Sequence, residues 1–251
     1  MTEETSRRGR RVQAPQRGGA VVAPKASGLP ILVVTGLVRE AASLGAGVVP
    51  VISGADCDTL RRALAEKAQT PFSAVVSFGL AGGLDPSLAP GTMIVASAVV
   101  AGAERRDCSA TLARMLVEGF AGAGLVAREG LIAGVEAPVM TPEAKTALFR
   151  ESGALAVDME SHLAADFAKR QGLPFAVARA VSDPAKRALP PLAAKAVRPD
   201  GSVDISYILR ELGREPRQLA GLIAAGLDSR AAFATLARCG PLIGPLLRLA
   251  L

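Results

Sequence analysis

The amino-acid sequence predicts an α/β domain in which helices cover a largely parallel sheet. Three observations carry that reading. Apolar runs of strand length recur, stretches with helical spacing alternate with them from 29 to 184, and several runs close on glycine. Runs that are apolar throughout suit strands buried on both faces.

In chain order, "LPILVVTGL" (29–37) is the first such strand. "DCDTLRRALAEKA" (56–68) has helical spacing, with Leu60, Ala63 and Leu64 on one side. "PFSAVVSFGLAGGLDP" (71–86) reads as a strand entering a glycine turn, and "GTMIVASAVV" (91–100) as another. A helix "ATLARMLVEGF" (110–120), a strand "LIAGVEAPV" (131–139) and a helix "TPEAKTALFRESG" (141–153) follow. That last helix has Pro142 in its first turn and Gly153 past its end. "AVDMESHLAADFAKRQG" (156–172) predicts a helix opened by Asp158 and Glu160 and bearing the only histidine, His162. "LPFAVARAVSDP" (173–184) is the final buried strand, and a Pro-rich connector begins near 185.

These patterns divide the chain into a basic leader (1–28), a core domain (29–200) and a helical, amphipathic C-terminal extension (201–251). The leader holds Arg7, Arg8, Arg10, Arg11, Arg17 and Lys25 against Glu3 and Glu4, four of the net +6 charges. Rich in Gly and Pro and without periodicity, it reads as disordered, and its "GGAVV" is too short for a signal-peptide core. In the extension, Leu219, Leu222, Ile223 and Leu227 fall at helical spacing among Arg210, Arg214, Arg217, Arg230, Arg238 and Arg248. It reads either as a helix resting on an anionic bilayer, or as one packed on the domain or on the second subunit of a homodimer.

Composition excludes several classes. Half of the 251 residues are apolar, but only 3% are aromatic and none is Trp. The core is therefore aliphatic, and base-stacking platforms for nucleic acid are not expected. Cys57, Cys108 and Cys239, with no CxxC and a single histidine, suggest neither a metal cluster nor a disulfide framework. That usage fits a reducing, cytoplasmic setting. No apolar run reaches the roughly 18 residues of a membrane span.

Ligands collect at the carboxyl ends of parallel strands, where Glu40, "FGLAGG" (78–83) and Ser182-Asp183 stand. The glycine run has G-x-x-G-G spacing, not the dinucleotide G-x-G-x-x-G. It either turns the chain or lets backbone N–H groups approach an oxyanion or water. Asp183 either begins a loop before Pro184 or is a general acid. An aspartate kept protonated near neutrality costs about 4 kcal/mol, which desolvation and a neighbouring anion, Glu160 or substrate, supply. Glu40, Asp158 and Glu160 read equally as acids complementing a helix start, and His162 as structural.

In register, "VVTGLVREAASL", "VVSFGLAGGLDPSLAPGTMIVA", "GVEAPV", "AVDMES" and "FAVARAVSDPA" resemble the nucleoside phosphorylase superfamily, most closely its methylthioadenosine/S-adenosylhomocysteine nucleosidase-like branch. The resemblance implies a three-layer α/β/α sandwich with a mixed, largely parallel sheet, and makes 29–200 the catalytic domain. It implies that Asp183 protonates purine N7, oriented by Ser182. Glu160 would bind ribose hydroxyls, Met159 would pack on the sugar, and Glu40 would activate water. It also places the backbone of Val139 at the adenine edge, with Pro138 where an aromatic is common, and Gly79, Ala81 and Gly82 in the binding loop. Asp158 would support the Glu160 loop.

No cofactor or metal is implied. Ser77 stands where phosphorylases of this superfamily usually carry an arginine, and an anion such as Glu40 beside phosphate would repel it. Water is therefore the expected nucleophile, with phosphate, aided by Arg39, as the alternative. The segment "LPPLAAKAVRPDGSVDISYILRELGREPRQLAGLI" is similar to the tail of hopanoid-associated phosphorylases. That similarity implies adenosylhopane, a triterpenoid on the 5′ carbon of adenosine, as substrate, cleaved to adenine and a ribosyl-hopane. It also implies peripheral contact with the inner membrane face. The alternative is a soluble methylthioadenosine or adenosylhomocysteine enzyme.

Overall fold

The computed structural model describes residues 28–249 and 251; the leader at 1–28 falls, up to residue 27, outside the described residues. The elements in chain order are β1 (Ile31–Thr35), α1 (Val38–Ala41), β2 (Val48–Ile52), α2 (Cys57–Glu66), β3 (Ala74–Gly83), β4 (Met93–Ala101), β5 (Glu104–Asp107), α3 (Ala110–Gly122) and β6 (Ala127–Gly134). They continue as α4 (Pro142–Ser152), β7 (Ala156–Asp158), α5 (Ser161–Gln171), β8 (Phe175–Asp183), α6 (Pro191–Lys195), α7 (Ile205–Arg214) and α8 (Leu219–Arg248).

Among the described residues, eight strands form one mixed sheet. β1 lies parallel between β2 and β3, and β3 runs parallel to β8. β8 is antiparallel to β4, β4 parallel to β6, β6 parallel to β7, and β7 antiparallel to β3, so five strands close into a ring. One apolar layer packs Leu60 and Leu64 of α2 and Leu163 and Phe167 of α5 on one face. A second sets Leu116 and Phe120 of α3 with Leu236, Ile243 and Leu247 of α8 on the other. This is the three-layer α/β/α architecture that the sequence implies.

Four strands depart from the sequence reading. β2 contains Pro50, whose missing N–H argues against a strand, yet its register along β1 is unbroken. β5 is "ERRD", a charged edge pairing only with β4. β7 has three residues and occupies what the pattern assigned to a helix start, so Asp158 ends a strand and Glu160 is the N-cap residue of α5. The predicted strand at 131–139 instead spans Ala127–Gly134, because its outer half pairs with β4 through exposed Arg128 and Glu129.

α8 accounts for most of the extension. Its residues Leu236, Cys239, Ile243 and Leu247 are fully buried, each large aliphatic contributing roughly 1.5–3 kcal/mol of burial. The helix passes close beneath the 43–46 loop: a Cβ on Gly240 would sit 2.3 Å from the Ser43 carbonyl oxygen. By length and composition the 33 residues Pro216–Arg248 would suffice to cross a membrane, although the continuous sequence is interrupted by Arg217, Asp228, Arg230 and Arg238. The packed half of α8 serves as a core helix. Ile205 and Leu209 of α7 and Leu219, Ile223 and Leu227 of α8 remain exposed.

Candidate active site

β1 ends at Thr35 and turns through Gly36 into the single turn α1, which carries Glu40 inward to 2% exposure. The Glu40 carboxylate accepts hydrogen bonds from the Gly36 N–H (2.6 Å), the Leu37 N–H (2.9 Å) and, on its other oxygen, the Leu80 N–H (2.8 Å). The glycine loop thus presents an amide to a protein carboxylate where the sequence suggested an oxyanion or water. Gly79 explains the close approach: its φ is +154°, and a Cβ there would lie 2.7 Å from the Glu40 carboxyl carbon. Burial, with Glu160 adding to it and Arg179 opposing it, pushes the Glu40 carboxyl up to about 7.

Arg179 of β8 is the hub. It is 1% exposed, donates to the Ser77 hydroxyl (2.5 Å) and the Leu80 carbonyl (3.1 Å), and faces two carboxylates. Its Nη2 is 3.2 Å from Glu160 Oε2. Its Nε is 2.8 Å from Asp158 Oδ2, an ion pair without the alignment of a hydrogen bond. Burial works against the guanidinium, but Asp158, Glu160 and Glu40 together outweigh it and hold the charge. Glu160 is raised, first by burial, and its Oε1 accepts from the Ser53 hydroxyl at 2.9 Å. Asp158 also caps α5 by accepting from the Ser161 N–H (2.9 Å) and hydroxyl.

Asp183 ends β8 just after a bulge between Ala81 and Gly82 shifts the β3–β8 register. One oxygen accepts from Ser182 Oγ (2.7 Å), and the other from Lys145 Nζ of α4 (2.6 Å). The sequence reading put an anion, Glu160 or bound substrate, beside this carboxyl. The neighbour is instead a cation, because Glu160 is drawn toward Arg179 and Ser53.

A cavity of about 1050 Å³ joins these groups. Glu40, Glu160, Asp183, Arg179, Met159, Pro138, Val139, Ala81 and Gly82 line it together. Ser182 and Gly79 stand behind that wall, one bonded to Asp183 and the other making room for Glu40. Asp158 and Arg230 line it as well, and a large apolar part of the lining comes from the chain beyond β8: Leu189, Val197, Ile205, Ile208, Leu222 and Phe233. Arg39 stacks its guanidinium over the Phe233 ring, 4.1 Å from the centroid.

Sequence reasoning passed over Arg179, Lys145 and Ser53. A signal existed for the first: an arginine inside "FAVARAVSD" lies in a fully buried strand, where a charge must be paired. It also separated three residues that the fold gathers. Ligand atoms of Cys57, Glu136 and His162 lie within 4.8 Å of one another, a grouping that spacing did not suggest. These atoms already have partners: Arg61 pairs with Glu136 and holds its carboxyl down at about 2. His162 Nε2 is 3.1 Å from Glu136 Oε1, and the Cys57 thiol, pushed up to about 12 by burial, donates to the Met159 carbonyl.

An acid-lined cavity at the strand ends of an α/β sandwich, apolar toward its far side, marks a small-molecule-binding protein. More narrowly, the chain belongs to the Phosphorylase superfamily, whose family model matches residues 11–211. It is similar in fold to 5′-methylthioadenosine/S-adenosylhomocysteine nucleosidase from Neisseria meningitidis, crystallised with methylthio-immucillin-A (TM-score 0.64, 16% identity, 88% of this chain and 99% of that one). The Helicobacter pylori nucleosidase of the same name (0.58, 18%, 74% and 98%) and Helicobacter pylori futalosine hydrolase (0.58, 18%, 74% and 98%) are similar too. No curated protein sequence matches the chain.

Proposed function

We propose that the protein hydrolyses the N-glycosidic bond of a 5′-substituted adenosine whose 5′ group is long and apolar, as in adenosylhopane, releasing adenine and a ribosyl-hopane. One observation carries this reading: a single cavity combines four carboxylates, Glu40, Asp158, Glu160 and Asp183, with a large apolar wall contributed by the residues after β8. In this mechanism water adds to C1′ as the C1′–N9 bond breaks, and the bonding pair leaves with the purine. Glu40, raised to about 7, takes the water's proton, a value suited to a base near neutrality. Asp183, which faces Lys145 and not an anion, takes up a proton as the substrate binds and gives it to N7, and Glu160 holds the ribose hydroxyls as positive charge grows on the sugar. Met159 packs on the sugar, while the backbone of Val139, beside Pro138, meets the adenine edge. No cofactor enters.

Water is favoured over phosphate because Arg179, the buried cation beside Glu40, is already flanked by Asp158 and Glu160, while Arg230 lines the cavity among the apolar residues beyond β8. Arg39 is engaged with Phe233. The exposed apolar residues of α7 and α8, with Arg210, Arg214 and Arg217 nearby in sequence, suit peripheral contact with an anionic membrane through which a lipid substrate arrives. A second reading, a soluble methylthioadenosine or adenosylhomocysteine nucleosidase, draws support from the fold neighbours that bear that name.

Adenine release from adenosylhopane and from methylthioadenosine, with and without phosphate, tests these readings. A higher kcat/KM for adenosylhopane, independent of phosphate, is expected. Preference for methylthioadenosine selects the second reading, and phosphate dependence overturns hydrolysis. In Asp183→Asn, release should fall by about 10²–10⁴-fold with nucleoside binding retained; an unchanged rate removes Asp183 as the acid.

A further inference from the structure

Lys145 lies in α4, outside the cavity lining, and is completely buried. An ammonium withdrawn from water costs several kcal/mol unless it is paired and hydrogen-bonded. All four of its acceptors belong to one short turn: Asp183 Oδ2 (2.6 Å), the Asp183 carbonyl (3.3 Å), the Pro184 carbonyl (3.1 Å) and the Arg187 carbonyl (3.0 Å). Ser182 holds the other carboxyl oxygen. Behind the same turn, Arg187 pairs with Asp228 of α8, next to the aliphatic wall of the cavity. Two of these four contacts, the shortest among them, are to Asp183 itself, and the other two are to carbonyls of the turn that follows it, so the lysine ties down the one residue that must face the departing base.

We propose that Lys145 is a positioning residue for leaving-group departure: it fixes the Asp183 carboxyl and its turn so that the acid meets the purine in one orientation. Its action passes through Asp183, and the inference rests on the reading of Asp183 as the acid. It predicts sensitivity to the leaving group. A purine needs a proton to depart, whereas 4-nitrophenolate does not.

The test compares Lys145→Met, Lys145→Arg and Asp183→Asn on two substrates. One is the 5′-substituted adenosine that the wild type turns over, and the other is the 4-nitrophenyl riboside carrying the same 5′ group. Lys145→Met should lower kcat for adenine release by about 10²-fold, with KM within about threefold and nitrophenolate release unchanged. Lys145→Arg should recover much of the loss. Equal slowing of both substrates would make Lys145 merely structural, and slowing of neither would remove it; either result overturns the proposal. Asp183→Asn separates the two claims. If it shows no leaving-group selectivity, the acid assignment fails; if it does and Lys145→Met does not, only the positioning role fails. Should the Met variant not fold, Lys145→Gln is judged by the same criteria.

Discussion

Replacing Glu40 with Gln should change how stability depends on pH, and the size of the change follows from the site. The unfolded chain releases this proton near 4.5, while burial holds the folded group to about 7. Between those values the folded protein binds more protons than the unfolded one, so stability falls as pH rises. At 1.36 kcal/mol per pKa unit, the wild type should lose about 2.5 kcal/mol between pH 5 and pH 8 through this group. Gln cannot ionise, so its variant lacks that slope, although one of the three N–H donors around it will face an amide NH₂. That misfit, about 1–3 kcal/mol, shifts the whole curve without tilting it. Urea unfolding of both proteins at pH 5, 6, 7 and 8 measures the difference directly. Parallel curves would refute the buried, half-neutral carboxyl. As a base, Glu40 must be ionised to act, so wild-type kcat/KM should fall as pH drops below about 7.

Two further outcomes are expected. Arg179→Met leaves Asp158, Glu160 and Glu40 without their shared buried cation, and removing one partner of such a pair costs about 3–5 kcal/mol; a thermal melt that barely moves would show that the carboxylates do not depend on it. Leu209→Ser with Ile223→Ser should abolish flotation with anionic vesicles while leaving the circular dichroism spectrum intact, and undiminished flotation would remove α7 and α8 as the membrane face. Deleting 217–251 is a poor version of that experiment, since Leu236, Ile243 and Leu247 are core residues.

Legibility followed burial and length. β1, β3, β4 and β8 are continuous apolar runs and read directly, whereas β2 is disguised by Pro50, β5 by its four charged residues, and β7 by having only three residues. Glu40 and Asp183 were visible because they stand at the ends of apolar strands and Glu160 because it opens a helical pattern, and the cavity gathers all three. Their partners were not. Arg179 interrupts an apolar strand with no local sign of which carboxylates it meets, two of them about twenty residues earlier and one far back in α1. Lys145 lies two residues after Glu143 in a helix of modest amphipathicity, where a lysine is ordinarily solvated. Such pairings depend on which strands neighbour each other, and a single chain carries no record of that.

The passage of Gly240 beneath the 43–46 loop has a consequence for biosynthesis. The turn that presents Glu40 rests on a helix made some two hundred residues later, and contacts so distant in sequence form late and slowly. A ribosome must therefore add the residues of α8, Leu222 and Phe233 among them, before the cavity that holds Glu40 can close on that side.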